Sequence, residues 1–256
     1  NDRALVYYQT ARYGDSAALF GRVAAAWSET LGPNHPHTLT ALANEAGALS
    51  EEGRFAEAVP RLRELLARQR AISAAPASFA STLNTLGIAL LDLDRPAEAL
   101  VPFRESLELN VATYGEEHSA TIFSHQLLAR AHLELGDLAA ASSEVEAARK
   151  AAATTYAADD RSYGSLDALE STVRLRRGDI AEALRLGRAA LDRRAAYLPT
   201  TSWKIGEGHL LVAEALAARG ERAAARESAA RALEIFRTSR GEEHPLTRRA
   251  RAVLAH

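Results

Sequence analysis

Few side chains in this sequence have the types and spacing that chemistry requires. His118, His125 and His132 recur every seven residues on one side of a helix, the kind of arrangement from which imidazoles bind zinc. At that spacing successive rings stand about 10 Å apart, too far for one ion that needs each ligand at about 2 Å. The expectation is one loop histidine and two packed or partly exposed ones, with no metal site. Asp159 and Asp160 place two carboxylates after an alanine run, where an aspartate is expected as a helix N-cap. Trp27 and Trp203 could stack on a ligand, but tryptophans on amphipathic helices serve as packing. Arg248, Arg249 and Arg251 could hold an anion and are expected to form a solvated face. There is no Gly-x-x-x-x-Gly-Lys-Ser/Thr and no His-Glu-x-x-His, and the absence of cysteine removes thiolate nucleophiles, disulfides and cysteine-metal sites together. No catalytic constellation is present, so the reading is a non-enzymatic, cytoplasmic protein with no catalytic residue, no metal and no cofactor.

The elements that position these residues follow from a repeat. Five turn signals share one form: Gly53-Arg-Phe-Ala-Glu-Ala58, Asp94-Arg-Pro-Ala-Glu-Ala99, Gly136-Asp-Leu-Ala-Ala-Ala141, Gly178-Asp-Ile-Ala-Glu-Ala183 and Gly220-Glu-Arg-Ala-Ala-Ala225, spaced by 41, 42, 42 and 42 residues. A second marker agrees, because Gly115-Glu-Glu-His118 recurs as Gly241-Glu-Glu-His244 after 126 residues, three such periods. Each period divides into two helical stretches joined by the turn, whose glycine ends the first helix without the left-handed penalty of a Cβ. Leu83, Leu86 and Leu90, then Ala99, Phe103 and Leu107 across the turn, give each helix an apolar face at helical period. One hairpin cannot bury both faces, so neighbours must stack into a solenoid with a concave and a convex surface. Between hairpins, Leu31-Gly-Pro-Asn-His-Pro-His-Thr38, Tyr114-Gly-Glu-Glu-His-Ser-Ala-Thr121 and Arg240-Gly-Glu-Glu-His-Pro-Leu-Thr247 close one helix on glycine and open the next near an N-cap histidine.

Composition supports the same class. Alanine accounts for 56 of 256 residues and aromatics for only 6%, which favours helices at close approach over strands, so the fold is read as all-α. Lys+Arg 31 against Asp+Glu 33 gives a net charge of −2, which argues against nucleic acid as partner. No membrane span is expected, because the longest uncharged run, Ala71 to Leu91, is broken by Ser73, Pro76, Ser78, Ser81, Thr82 and Asn84. Only Lys150 and Lys204 are lysines, as codon bias in a GC-rich genome would produce. The chain opens on Asn1 without an initiator methionine or a signal segment, which predicts a piece of a longer protein.

The stretch Leu31 to Ile72 resembles a 42-residue tetratricopeptide repeat of the kinesin-light-chain type, which also occurs in bacterial signalling proteins. The resemblance rests on the Leu-Gly-x-x-His-Pro-x-Thr opening, Asn44 before Ala46, Gly53-Arg-Phe at the turn and Ala-Glu-Ala at 56–58, and it covers residues 31–256 in period and turn motif. It implies one α-α superhelix over residues 1–256: a partial, atypical unit at 1–30, hairpins at 31–72, 73–114, 115–156, 157–198 and 199–240, and a capping helix at 241–256. Gly14-Asp15 stands 39 residues before Gly53, out of phase. The His-Pro opening is missing near 71–78, 155–163 and 197–203, and a position usually leucine holds Glu45 or Glu170.

In this family the first helix of each hairpin lines the concave groove and ligand peptides lie there. The resemblance therefore implies groove positions at Thr40, Asn44 and Glu51; at Asn84, Thr85, Ile88 and Asp92; at Phe123, Gln126, Arg130 and Glu134; at Thr172 and Arg176; and at Leu210 and Glu214. Amides there can hold a peptide backbone, and Arg130 or Arg176 can select a carboxylate or phosphate. The asparagine ladder of kinesin light chains is reduced and the Lys/Asn clamp of chaperone-binding relatives is absent, so neither a motor cargo nor a chaperone tail is expected. The expectation is a protein or peptide partner, without nucleic acid or membrane, and with homodimerisation open. The alternative is a sensor or regulatory part of a larger bacterial protein such as a Ser/Thr kinase or a transcription regulator.

Overall fold

The computed structural model describes residues 2–9, 12–242 and 244–255 and is all-helical over them. Thirteen helices follow in order among these residues: α1 (Asp2–Gln9), α2 (Tyr13–Leu31), α3 (Pro36–Glu51), α4 (Phe55–Ala71), α5 (Pro76–Asp92), α6 (Pro96–Tyr114), α7 (Ser119–Glu134), α8 (Leu138–Thr155), α9 (Tyr163–Arg176), α10 (Ile180–Ala195), α11 (Trp203–Ala218), α12 (Arg222–Ser239) and α13 (Pro245–Ala255). They group into two compact units, residues 1–135 and residues 136–256.

The repeat punctuation takes the expected backbone form. Gly53, Gly136, Gly178 and Gly220 adopt φ of 82°, 76°, 83° and 86°, and Asp94 stands in for glycine at φ 60°. Gly14 is different: it lies inside the first turn of α2 with no positive φ, which accounts for its phase error. The position in phase with the later turns is residue 11, which lies outside the described residues.

The Gly-x-x-His-x-x-Thr joints work as double fasteners. His35, His118 and His244 each accept, at Nδ1, the backbone N–H two residues on, at 3.2, 3.1 and 3.2 Å. Each caps the N-terminus of α3, α7 or α13, where helix N–H groups lack internal partners. Three residues further on, Thr38, Thr121 and Thr247 are buried and donate their hydroxyls back to the carbonyls of Gly32, Gly115 and Gly241, at 2.9, 2.7 and 2.7 Å. One side chain thus satisfies the new helix and another satisfies the end of the old one.

Buried side chains at one repeat position add further fastening, both where this motif is present and where it is absent. Sixteen residues after each turn residue stand Gln69, Asn110, Ala152, Arg194 and Phe236, all buried. Gln69 donates to Ser78 Oγ at 3.1 Å, Asn110 to Ser124 Oγ at 2.9 Å, and Arg194 to the Lys204 carbonyl at 3.0 Å while pairing with Glu207 at 2.9 Å. The loop before α9 is held by Arg193, which reaches the carbonyls of Ala158 and Asp160 and the buried Asp167 carboxylate at 3.1 Å. The expected aspartate N-cap is therefore corrected. Ser162 occupies the cap position of α9, and Asp160 instead accepts the Ser162 N–H at 2.7 Å in an Asx turn.

In the first unit the core runs through Leu49, Leu62, Leu83, Leu90, Ala99, Phe103 and Leu128, each at most 2% exposed. Packing is complementary at Gly87, where an added Cβ would overlap the Phe103 ring. Glu45 and Glu170 occupy positions where the repeat otherwise puts Leu86, Leu128 or Val212, and arginines compensate them. Arg61 pairs with Glu45 at 3.1 Å, and Arg149 and Arg174 pair with Glu170.

Candidate interaction face

In the first unit the first helices of three hairpins, α3, α5 and α7, pack in succession. Counting from the turn residues places Thr40, Ser81 and Phe123 in one row, Ala43, Asn84 and Gln126 in a second, and Gly47, Ile88 and Arg130 in a third. Thr40 and Phe123 are exposed, Phe123 at 46% although it is a large apolar side chain. Asn44, Asn84, Thr85, Ile88, Gln126 and Arg130 are half-buried. Thr40 and Thr85 donate their hydroxyls into their own helices, to Pro36 O and Ser81 O at 2.9 Å each, which leaves their lone pairs outward. Asn84 Oδ1 is buried and has no hydrogen-bond partner. An orphaned buried acceptor costs about 1–3 kcal/mol. Glu51 and Asp92 stand at the C-terminal residues of α3 and α5, and Glu134 at that of α7.

In the second unit the equivalent helices are α9, α11 and α13, and the lining differs. Thr172 is half-buried and donates to Ala168 O at 3.1 Å, while Arg176 is exposed. Leu210 departs from its expected groove position: it is 1% exposed and packs with Phe236 and Ala250. Glu214 is held by Arg249 of α13 through two hydrogen bonds of 3.0 and 2.8 Å. Arg251 likewise pairs with Glu242 and Arg248 is exposed, so the arginines of α13 form a largely solvated face with two ion pairs. Spacing could have revealed Arg249, because an interval of 35 residues also separates the Arg63–Glu98 and Arg70–Glu105 pairs.

The remaining candidates take structural places. His118 is an N-cap, His125 Nε2 lies 4.0 Å from Glu116, and His132 is buried. The Trp27 ring packs at a 42° tilt against His37 with centroids 5.4 Å apart, and the Arg240 guanidinium lies 4.4 Å from the Trp203 ring. No group of three or more His, Cys, Asp or Glu side chains among the described residues could hold a metal ion. No helix of the described residues is long and apolar enough to cross a membrane. Sequence reasoning missed a cavity between α10, α11 and α12 around His209. The signal was present, since the place eleven residues before the turn holds Leu42 and Leu83 but then His125, Asp167 and His209.

Comparison with known proteins agrees with this architecture. The family described as tetratricopeptide repeat matches residues 1–71 and 78–154, more than half of the chain, and a second model of that description matches 212–246. No curated protein sequence matches significantly. Among solved structures, the nearly identical TPR-like repeats described as a kinesin light chain of Podosopora anserina share 21% identity with a TM-score of 0.58, over 80% of this chain and 98% of theirs. BtubC (BKLC) of P. vanneervenii shares 16% identity with a TM-score of 0.67, over 91% of this chain and 94% of that one. The apo form of RapI shares 17% identity with a TM-score of 0.73, over 91% and 80%. The chain belongs to the tetratricopeptide repeat family.

Proposed function

We propose that this chain is a non-enzymatic protein–protein interaction module that holds an extended peptide or protein segment along a concave wall of its first helices. The observation that carries the reading is the 46% exposed Phe123, in one row with the exposed Thr40 and beside the half-buried Asn84, Gln126, Ile88 and Arg130. Such a wall offers amides to a peptide backbone, an accessible apolar step to one side chain and a guanidinium to an acidic group. Thr40, Asn44 and Thr85 extend this wall within the first unit, and Thr172, Arg176 and Glu214 are the proposed counterparts in the second. Glu214 is available only where a ligand displaces Arg249, so the first unit is expected to supply most of the affinity.

A displayed library of random peptides, selected on the intact protein, tests the reading. Enriched peptides should bind the wild type and lose at least about tenfold affinity to the Asn44→Ala, Asn84→Ala, Gln126→Ala, Arg130→Ala variant. They should keep full affinity for Val101→Ser, a change at an exposed position of the second helix α6. Peptides blind to the fourfold variant but lost with Val101→Ser would overturn it.

A further inference from the structure

The cavity between α10, α11 and α12 has no part in the proposed peptide wall. Its volume is about 390 Å³, large enough for a small molecule. The lining separates into two ends along α11. Leu191, Val212, Leu216 and Ala224 make an apolar half, and Arg188, Asp192, His209, Glu227, Ser228 and Arg231 make a polar half. Val212 and Leu216 are nearly inaccessible, at 6% and 3%, so the apolar half is a floor.

Charges in the polar half are unevenly used. Arg231 is paired with Glu227 at 2.7 Å. Arg188, His209 and the Ser228 hydroxyl have no hydrogen-bond or ion-pair partner among the described residues. Asp192 stands one turn beyond Arg188 on the same helix, with the cation N-terminal, the less favourable order for an i,i+4 pair. The charged groups facing His209 come from two helices, Arg188 and Asp192 of α10 and Glu227 and Arg231 of α12. No residue of α9 or α13 lines the cavity among those described.

We propose that this trough is a binding site for a small monocarboxylate with a short aliphatic chain, its carboxylate at Arg188, His209 and Ser228 and its chain over Val212 and Leu216. Size follows from the helix: residues 209 to 216 span about 10 Å, the length of a carboxylate followed by five or six carbons. Charge limits the valence: the lining's two arginines and two carboxylates balance, Arg188 has no ion-pair partner to give up, and a dianion would meet both Asp192 and Glu227. Burial, and next the neighbouring Arg231, hold the His209 imidazole below its usual range, so the ring is neutral in the empty trough. An anion beside it reverses that balance. Affinity therefore rises as pH falls through the His209 titration, because the charged ring adds a second cation to the site.

Hexanoate is the probe, and the readout is the imidazole proton resonance of His209, identified as the signal missing from His209→Gln. In the intact protein, saturating hexanoate should raise the His209 pKa by about one unit, while Arg188→Gln, at an exposed position, should abolish the rise. Three outcomes would overturn the proposal: an unchanged His209 titration in hexanoate, an equal rise in Arg188→Gln, or an equal rise with chloride or inorganic phosphate at matched ionic strength. Peptide selection on the wall of α3, α5 and α7 is independent of these variants, so the two readings fail separately.

Discussion

At the residue scale, single side chains decide how close the helices come. Gly87 and Phe103 are a matched pair in which the ring fills the space a Cβ would need. Gly87→Ala is expected to cost about 2–3 kcal/mol despite its better helix propensity, as overpacking does. Phe103→Leu should recover part of that loss in a double-mutant cycle followed by urea denaturation, and additive costs would contradict the pairing. Glu45 shows the opposite situation, a carboxylate 15% exposed where a leucine would fit the repeat. Burial raises its pKa more than Arg61 lowers it, so ionising Glu45 opposes folding. The stability it contributes is present below the unfolded carboxylate range and is lost as pH rises through its raised folded value. Glu45→Leu should therefore be about 1 kcal/mol more stable than wild type at pH 7, with the advantage shrinking towards pH 4. An advantage that grows on acidification would refute this sign.

At the element scale, the joints divide into two kinds. Where the His and Thr fasteners are present, the buried Thr121 hydroxyl on Gly115 O shows their value. Thr121→Val keeps the shape and removes the donor, and it should cost about 1–2 kcal/mol in thermal or urea unfolding. Where they are absent, α10 contributes two consecutive arginines, Arg193 backwards to the 156–162 joint and Arg194 forwards to α11. Arg193→Ala should leave most of the helix content in place yet speed amide exchange selectively across 157–162, because two carbonyls and the buried Asp167 lose a partner. Uniform exchange across the second unit would instead mark a global loss of stability.

At the scale of the whole molecule, stability is distributed, because within each unit every helix packs on its near neighbours in the chain order. Deleting α13 should expose Leu210 and Phe236 and free Glu214, lowering the stability of the second unit while leaving the first unit's unfolding midpoint unchanged in hydrogen exchange. Collapse of both units together would contradict an additive array. The all-α class, the helix pairs and the turn positions were legible beforehand, since a 42-residue period and helix-ending glycines are local, repeated signals. The partner of Glu214 was legible only through the 35-residue interval that Arg249 shares with the Arg63–Glu98 and Arg70–Glu105 pairs, since packing alone brings α13 across α11.

The sequence by itself therefore determined what repeats: helix periodicity, left-handed turn residues and capping motifs depend on neighbours within a few residues. Only the tertiary structure decided which side chains the stacking takes out of solvent. Leu210 went to the core, Asn84 kept an unmatched acceptor, and His209 came to face α10 and α12, because burial depends on the adjacent hairpin, whose contribution no single period contains.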